Sequence, residues 1–218
     1  MKRGIKLILL VITISLLCWY SLESIGYNEV KENTSNTNNI LVLVNKKNRL
    51  DKSFIPMDLI IPKIPFADEA IEEEKHVARI IKEPLEELVN AAKKDGIVLI
   101  GNSGYRSFKS QEDVYNNRVR SDGKKSADAY VAKPGLSEHQ TGLCIDITNK
   151  HRYFVEGTAE ADWLKGNCSK FGFVIRYPKG KKNITGIEYE PWHIRYVGKD
   201  VAKYIYDNDI TLEEYLEK

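Results

Sequence analysis

The most regular hydrophobic pattern in the chain lies between residues 67 and 94. Its apolar positions recur at the spacing of an α-helix: Ile71, Val77, Ile80, Ile81, Leu85, Leu88 and Val89. This spacing predicts a helix over residues 67–94, which Pro84 kinks or divides in two. The pair Asp95-Gly96 is expected to end it, since glycine commonly follows the last turn of a helix.

Shorter patterns continue towards the C-terminus, with strands and helices in irregular alternation. Apolar runs predict strands over residues 97–100, 143–147, 173–177 and 193–197. Helices are predicted over residues 110–120, 159–171 (closed by Gly172), 200–206 and 212–218. Loops are predicted over residues 101–104 and 121–135, and a hairpin region rich in Lys and Gly over residues 178–186. Because this order is not a repeated βαβ pattern, the α+β fold class is favoured.

The first residues carry a targeting pattern. Lys2, Arg3 and Lys6 precede an uncharged apolar run over residues 7–22, which predicts an N-terminal membrane-targeting helix. The positive flank is expected to stay in the cytoplasm while the rest of the chain crosses the membrane. The run is short for a span, which needs roughly 17–25 residues, but no good cleavage site follows it. Both an uncleaved anchor and a cleaved signal peptide therefore stay open, with the anchor favoured.

These features divide the chain into three parts. Residues 1–25 are predicted to be the signal anchor or signal peptide, and residues 26–40 a polar linker, since residues 31–39 contain no apolar side chain. Residues 41–218 are predicted to fold as one domain, starting with a proline-punctuated arm. This order places the domain on the extracytoplasmic face of the cell membrane, or in the medium after signal cleavage.

Charge and cysteine content narrow the function classes only slightly. The net charge of +2 offers no concentrated basic face, so nucleic acid is not an expected partner. The membrane is an expected partner through the N-terminal segment alone. Cys144 and Cys168 are the cysteines beyond the apolar run; a bridge between them is possible, but the sequence does not decide it.

Two of the four histidines stand beside carboxylates in a way that indicates metal binding. His139 precedes Asp146 by seven positions, and Asp146 lies inside an apolar strand, where a bare carboxylate is costly to bury. On an extended strand Cys144 and Asp146 share one face, while the flanking isoleucines share the other. Zinc binds imidazole nitrogen and carboxylate oxygen, and catalytic zinc sites keep one position open for water.

A second carboxylate accompanies the other histidine of interest. Glu190 precedes His193 in the run Glu-Pro-Trp-His, and Pro191 makes a regular strand unfavourable there. We therefore expect Glu190 in a loop just before the strand that carries His193. A carboxylate in that place is a suitable general base for a water held by zinc. His76 and His151 are interpreted as ordinary surface residues.

These motifs resemble the VanY-type D-alanyl-D-alanine carboxypeptidases, a family that also includes L,D-carboxypeptidases. The family pattern Ser-x-His-x-x-Gly-x-x-x-Asp is met by Ser137, His139, Gly142 and Asp146, and the pattern Glu-x-x-His by Glu190 and His193. Further matching stretches are residues 104–107 with Gln111, 173–178, 184–187 and 195–198. The resemblance covers residues 42–197, and two linked motifs are far more specific than one short pattern.

The resemblance implies a fold, a cofactor and residue roles. The fold is a small antiparallel sheet flanked by helices, and the cofactor is one zinc ion. The implied zinc ligands are His139, Asp146 and His193, and the implied catalytic residues are Glu190 as base and Arg106 at the oxyanion. The implied substrate-binding residues are Arg106, Gln111, Ser137 and Tyr177. Cys144 departs from the family, which commonly has alanine there, and its thiol could compete for the metal or oxidise.

Three functions are compatible with this set of residues. The favoured one is a zinc carboxypeptidase that removes the C-terminal D-alanine from peptidoglycan stem peptides or their precursors, with Arg106 suited to bind the terminal carboxylate. An endopeptidase of similar fold needs no such arginine. A zinc-stabilised wall-binding module needs no base, so Glu190 argues against it. The preference for D,D or L,D bonds stays open.

Overall fold

The computed structural model describes residues 31–33 and 39–217, and its largest sheet has four antiparallel strands. In chain order the strands are β1 (Lys31–Asn33), β2 (Asn48–Leu50), β3 (Leu59–Ile60), β4 (Val77–Ala78), β5 (Ile100–Ser103), β6 (Cys144–Thr148), β7 (Phe173–Ile175) and β8 (His193–Tyr196). The four-stranded sheet has the order β5-β6-β8-β7, while β1 pairs with β2 in parallel and β3 with β4 antiparallel.

Helices and short 3₁₀ turns connect these strands. The helices are α1 (Arg79–Lys94), α2 (Phe108–Tyr130), α3 (Ala159–Asn167), α4 (Lys182–Thr185), α5 (Lys199–Asp207) and α6 (Leu212–Leu216). The 3₁₀ turns are Glu73–Lys75, Glu138–Thr141 and Cys168–Phe171. Hydrogen-bonding side chains cap three helices: Ser107 on α2, Thr158 on α3 and Thr211 on α6.

One face of the four-stranded sheet builds the main hydrophobic core. On this face the side chains of three isoleucines point into the core: Ile145, Ile147 and Ile194. They pack with apolar residues of α1 (Ile81, Leu85, Leu88, Val89 and Ala92) and of α3 (Ala161 and Leu164). Because side chains alternate along a strand, the neighbours of these isoleucines point to the opposite face. That face is therefore available for polar residues.

Helices α5 and α6 close a second apolar cluster at the C-terminal end. It contains Val174, Val197, Ala202, Ile205 and Leu212, with Leu41 and Leu43 packed against it. Residues 40–44 thus contribute to the domain core although they form no strand. These contacts join residues 41–43 to the C-terminal helices of the domain.

A network of four buried charges also ties α6 to the sheet. Arg176 donates two hydrogen bonds to Glu213, at 2.7 and 2.8 Å, and one to Glu138 at 2.8 Å. Arg195 donates to the same oxygen of Glu138 at 2.6 Å. Both arginines and Glu138 have fully buried side chains. Such charges are stable inside a protein only when they are paired and hydrogen-bonded.

The class prediction is confirmed: the fold mixes helices with a small antiparallel sheet flanked by them. The helix predicted over residues 159–171 is confirmed, since α3 continues into the turn Cys168–Phe171 and Gly172 adopts a φ of 86°.

Cys144 and Cys168 are both free, so the bridge that the sequence left open is not formed. Burial raises the pKa of Cys168 to about 12 and keeps that thiol protonated.

Two predicted boundaries are wrong. The helix predicted over residues 67–94 begins only at Arg79, because the segment before it forms the 3₁₀ turn Glu73–Lys75 and strand β4 and contacts the residues after β5. There the carbonyls of Glu74 and His76 accept hydrogen bonds from the backbone of Gly104 and Tyr105, at 2.6 and 2.7 Å. The predicted strand 97–100 is displaced to Ile100–Ser103.

The loop predicted over residues 121–135 is also largely helical. Helix α2 runs to Tyr130, with a break at Gly123, where φ is 79°. Past the break, Lys124 pairs with Asp128 one turn later, and the hydroxyl of Tyr115 donates to the same aspartate at 2.7 Å. These contacts stabilise helical turns in a segment whose composition is polar.

The N-terminal predictions fall mostly outside the described residues. The targeting segment 1–25 lies wholly there, as does most of the linker 26–40; Lys31–Asn33 pairs with β2. Among residues 31–33 and 39–217, no helix has the length and apolar character that a membrane span requires.

Replacing Gly104 by alanine is expected to destabilise the domain by about 1–3 kcal/mol, the usual cost of overpacking. A Cβ at this position would lie 2.3 Å from the carbonyl oxygen of His76, which is backbone and cannot move aside freely. Gly166 in α3 is the matched control, because nothing lies within 4 Å of its added Cβ. G166A should be neutral or stabilising in urea unfolding. Equal stability of G104A and the wild-type chain would contradict the close packing of this loop.

Candidate metal centre and active site

The register of the sheet aligns three polar side chains in one row. Asp146 of β6 lies directly opposite His193 of β8, and on its other side Asp146 lies opposite Ser103 of β5. A bulge between Gly101 and Ser103 shifts the register of β5, which is how Ser103 comes to face Asp146. The row lies on the face away from the isoleucine core, as the alternation of β6 predicted.

His139 reaches this row from the turn Glu138–Thr141. The turn ends at Gly142, whose φ of 66° suits glycine, and whose Cβ, if present, would lie 2.9 Å from the backbone nitrogen of Ala78. The Nδ1–H group of His139 donates to the carbonyl of Gly104 at 2.7 Å. This hydrogen bond fixes the tautomer and leaves Nε2 with a free lone pair.

The two imidazoles and Asp146 converge. Oδ2 of Asp146 lies 3.5 Å from Nε2 of His139, and Oδ1 lies 2.9 Å from Nδ1 of His193. The two rings stand edge to face with centroids 5.0 Å apart. Three side chains from two distant stretches of the sequence therefore present donor atoms to one small volume.

This volume suits a divalent cation. Although Oδ1 of Asp146 is close to His193, it is buried and accepts no hydrogen bond of acceptable geometry within the described residues. A buried carboxylate oxygen without a partner is costly unless an ion completes its surroundings. Two imidazole nitrogens and one carboxylate are a donor set that zinc accepts, with a fourth position left for water.

Cys144 lies beside the same volume and offers an alternative third donor. Its Sγ and one nitrogen of each of His139 and His193 lie within 4.8 Å of one another. Burial opposes ionisation of this thiol, but the neighbouring imidazoles outweigh it and lower the pKa of Cys144 to about 7. A thiolate in this place would bind a soft metal well.

The charges of the centre perturb one another strongly. Burial opposes ionisation of Asp146, yet His139 and His193 lower the pKa of its carboxyl to about 2. Burial likewise works against the charged imidazoles, but Cys144 and Asp146 raise the pKa of both histidines above the usual value. Asp146 and the two imidazoles thus favour one another's charged forms.

Glu190 lies in the loop before β8, as the sequence predicted. A turn connects Glu190 to β8, because the backbone N–H of His193 donates to the carbonyl of Glu190 at 3.3 Å. Oε2 of Glu190 lies 3.9 Å from Nδ1 of His193. Burial, helped by the charge of Asp146, raises the pKa of Glu190 to about 7. This carboxylate is suited to exchange protons near neutral pH.

Arg106 is held at the edge of the centre by Gln111, which the sequence analysis identified, and by Glu74 and Ser103, which it did not. Its guanidinium donates to Glu74 at 2.7 Å, to Ser103 at 2.7 Å and to Gln111 at 3.0 Å. The backbone N–H of Arg106 donates to the carbonyl of His139. This hydrogen bond attaches the backbone of Arg106 to the turn that carries the metal ligand. These bonds occupy only part of a guanidinium that carries five N–H groups.

The other predicted substrate residues have different surroundings. The side chain of Gln111 is engaged at both ends, since its amide N–H also donates to the carbonyl of Ala132 at 2.7 Å; it therefore orients Arg106. Tyr177 packs its ring against His193, with centroids 5.0 Å apart. Burial raises the pKa of Tyr177 far above its usual range and keeps its hydroxyl protonated. Ser137 is buried and immediately precedes the turn that carries His139.

Comparison with known proteins agrees with this arrangement. A family model described as VanY, D-alanyl-D-alanine carboxypeptidase, matches residues 74–199. YodJ of Bacillus subtilis (strain 168) is 44% identical over 209 residues, which cover 91% of this chain and 77% of YodJ. The matched segment contains all of the residues assigned to the metal centre.

Two solved structures are also similar. The LD-carboxypeptidase LdcB, whose structure concerns peptidoglycan recognition, has a TM-score of 0.80 and 44% identity, over 87% of this chain and 90% of that chain. A variant of the vancomycin-resistance D,D-pentapeptidase VanY, in complex with Zn(II), has a TM-score of 0.68 and 34% identity, over 81% and 98%. By the family match and these relatives, the chain belongs to the VanY family of D-alanyl-D-alanine carboxypeptidases.

Proposed function

We propose that this protein is a zinc-dependent carboxypeptidase that removes the C-terminal D-alanine from peptidoglycan stem peptides. The observation that carries the proposal is the convergence of His139 and His193 on Asp146, with Glu190 beside them. A binding module that used zinc only for stability would need no carboxylate in that position. The solved relatives include both an LD-carboxypeptidase and a D,D-pentapeptidase, so either bond is a candidate.

In this proposal the zinc ligands are Nε2 of His139, Nδ1 of His193 and the carboxylate of Asp146. When bound, zinc supplies a Lewis acid that lowers the pKa of a coordinated water towards about 7. Glu190 takes a proton from the attacking water and returns it to the leaving amino group. Its raised pKa suits both transfers, because the group must accept a proton and release it in one cycle.

Arg106 has the complementary task of binding negative charge. Glu74, Ser103 and Gln111 fix its guanidinium from one side, and its remaining N–H groups can donate to the terminal carboxylate or to the oxyanion. Ser137 and the protonated hydroxyl of Tyr177 are proposed to contact the peptide. Stem peptides lie outside the cytoplasm, and the charged, apolar N-terminal pattern supports a position on the extracytoplasmic face of the membrane.

Replacing Glu190 by glutamine should lower kcat by about 10²–10⁴-fold, the usual contribution of general acid–base catalysis. Zinc content should stay at the wild-type level, because Glu190 is not among the proposed ligands. Glu188, two residues earlier, is the control: it is half-buried and pairs with Lys182, so E188Q should keep full activity. The readouts are mass spectrometry of peptides ending in D-alanyl-D-alanine or in a single D-alanine, and metal analysis. Wild-type turnover by E190Q would exclude this base.

Amidation of the substrate's C-terminus should lower kcat/KM by about 10- to 150-fold, since a hydrogen bond to a charged group contributes about 1.5–3 kcal/mol. In R106Q the free and amidated peptides should be cleaved at similar, low rates, because the group that distinguishes them is gone. Arg152, an exposed residue paired with Glu69, provides the control R152Q. An endopeptidase would instead tolerate amidation in the wild-type chain.

Zinc affinity should fall as the pH is lowered from about 8 to about 5. The pKa of His139 and of His193 is raised in the metal-free protein, so protons compete with the metal already around neutral pH. Up to about two protons should be released for each ion bound. Competition with a chelator at several pH values measures this effect, with H151N as a control that removes an exposed histidine. An affinity independent of pH would rule out ligation by the two imidazoles.

A further inference from the structure

Glu138 lies next to the metal ligand His139 in the chain, and it is fully buried. Its Oε1 accepts hydrogen bonds from Nε of Arg176 at 2.8 Å and from Nη1 of Arg195 at 2.6 Å. Two guanidinium groups on one oxygen keep this side chain a carboxylate and fix the direction in which its other oxygen points.

That other oxygen faces the second metal ligand. Oε2 of Glu138 lies 3.7 Å from Nε2 of His193. Within the described residues both atoms are buried and neither has a hydrogen-bond partner. Leaving two complementary polar atoms buried and unpaired is costly, and a shift of less than 1 Å would pair them. The position of these two atoms therefore indicates that a hydrogen bond forms between them when His193 binds a metal ion.

We infer that Glu138 is a positioning residue of the metal centre, whose Oε2 accepts a hydrogen bond from the Nε2–H group of His193. With the proton held on Nε2, the lone pair of Nδ1 points towards Asp146 and the ion. A carboxylate behind a ligating histidine orients the ring and makes it a better ligand. The carbonyl of Gly104 has the same relation to His139. This inference rests on the proposed zinc site.

The surrounding network prevents Glu138 from turning away. Arg176 is held by both carboxylate oxygens of Glu213 in α6. Arg195 also donates to the backbone carbonyls of Ile40 and Val42, at 2.9 and 2.8 Å. The first and last segments of the domain thus fix the orientation of one metal ligand.

Replacing Glu138 by glutamine tests the role, because it changes one atom and reverses one hydrogen bond. Both arginines are donors, so the glutamine carbonyl oxygen must take the place of Oε1. The amide NH₂ then faces Nε2 of His193 and donates to it, which moves the ring proton to Nδ1. We expect E138Q to bind zinc about 10–100-fold more weakly than the wild-type chain.

Glu213 provides the matched control. E213Q removes the same charge from the same buried network, but Glu213 touches Arg176 and Asn45 and no ligand histidine. Both variants should lose stability in urea unfolding, whereas only E138Q should lose zinc affinity in chelator competition. Equal affinities in E138Q and E213Q would overturn the inference while leaving the proposed function intact. A wild-type chain that binds no zinc would instead overturn the proposed function.

A measurement on the wild-type chain does not depend on the folding of any variant. In the zinc-loaded protein labelled with ¹⁵N-histidine, the nitrogen shifts of His193 should show a protonated Nε2 and a metal-bound Nδ1. The opposite pattern, with Nε2 on the metal, would contradict the inference. The ring of His139 should show the reverse assignment, with Nδ1 protonated, and so serves as an internal reference.

Discussion

The register between β6 and β8 is the constraint on which the rest of the site depends. It places Asp146 directly opposite His193, and the alternation of side chains then puts Ile145, Ile147 and Ile194 into the core on the other face. A slip of one residue would exchange the two faces of one strand, burying the aspartate in the apolar core. The free energy of packing the isoleucines against α1 and α3 therefore also specifies the geometry of the metal centre.

Much of this could be predicted from the sequence, because the informative signals were local. An aspartate between two isoleucines is explicable only if its strand has one apolar and one polar face, and this is the arrangement of Asp146. Pro191 indicated a loop for Glu190, and Glu190 does precede β8 in a loop. Where a few neighbouring residues fix the backbone, the sequence was a sufficient guide.

The errors arose where distant segments determine the outcome. The helical pattern before Arg79 is real, but the backbone of Gly104 and Tyr105 takes the carbonyls of Glu74 and His76, which a helix would need for itself. Glu138 and Ser103 were missed for the same reason. A charged or hydroxylated residue in a loop is normally solvent-exposed, and only pairing with Arg176, Arg195 or Arg106 reveals that these side chains are internal.

The buried charges give the centre two layers with different physical tasks. The inner layer, Asp146 with the two imidazoles, must be able to exchange protons for a metal ion, so its members titrate against one another. The outer layer must not titrate, because a ligand is held in place only if its support keeps one charge. Arg176 and Arg195 secure this by holding the pKa of Glu138, despite its burial, far below the usual range. A glutamine in its place would turn its amide NH₂ towards the ring, because the two arginines are donors and require its carbonyl oxygen. The buried charges of Glu138, Arg176 and Arg195 are costly, but together they fix the direction in which the Nδ1 lone pair of His193 points.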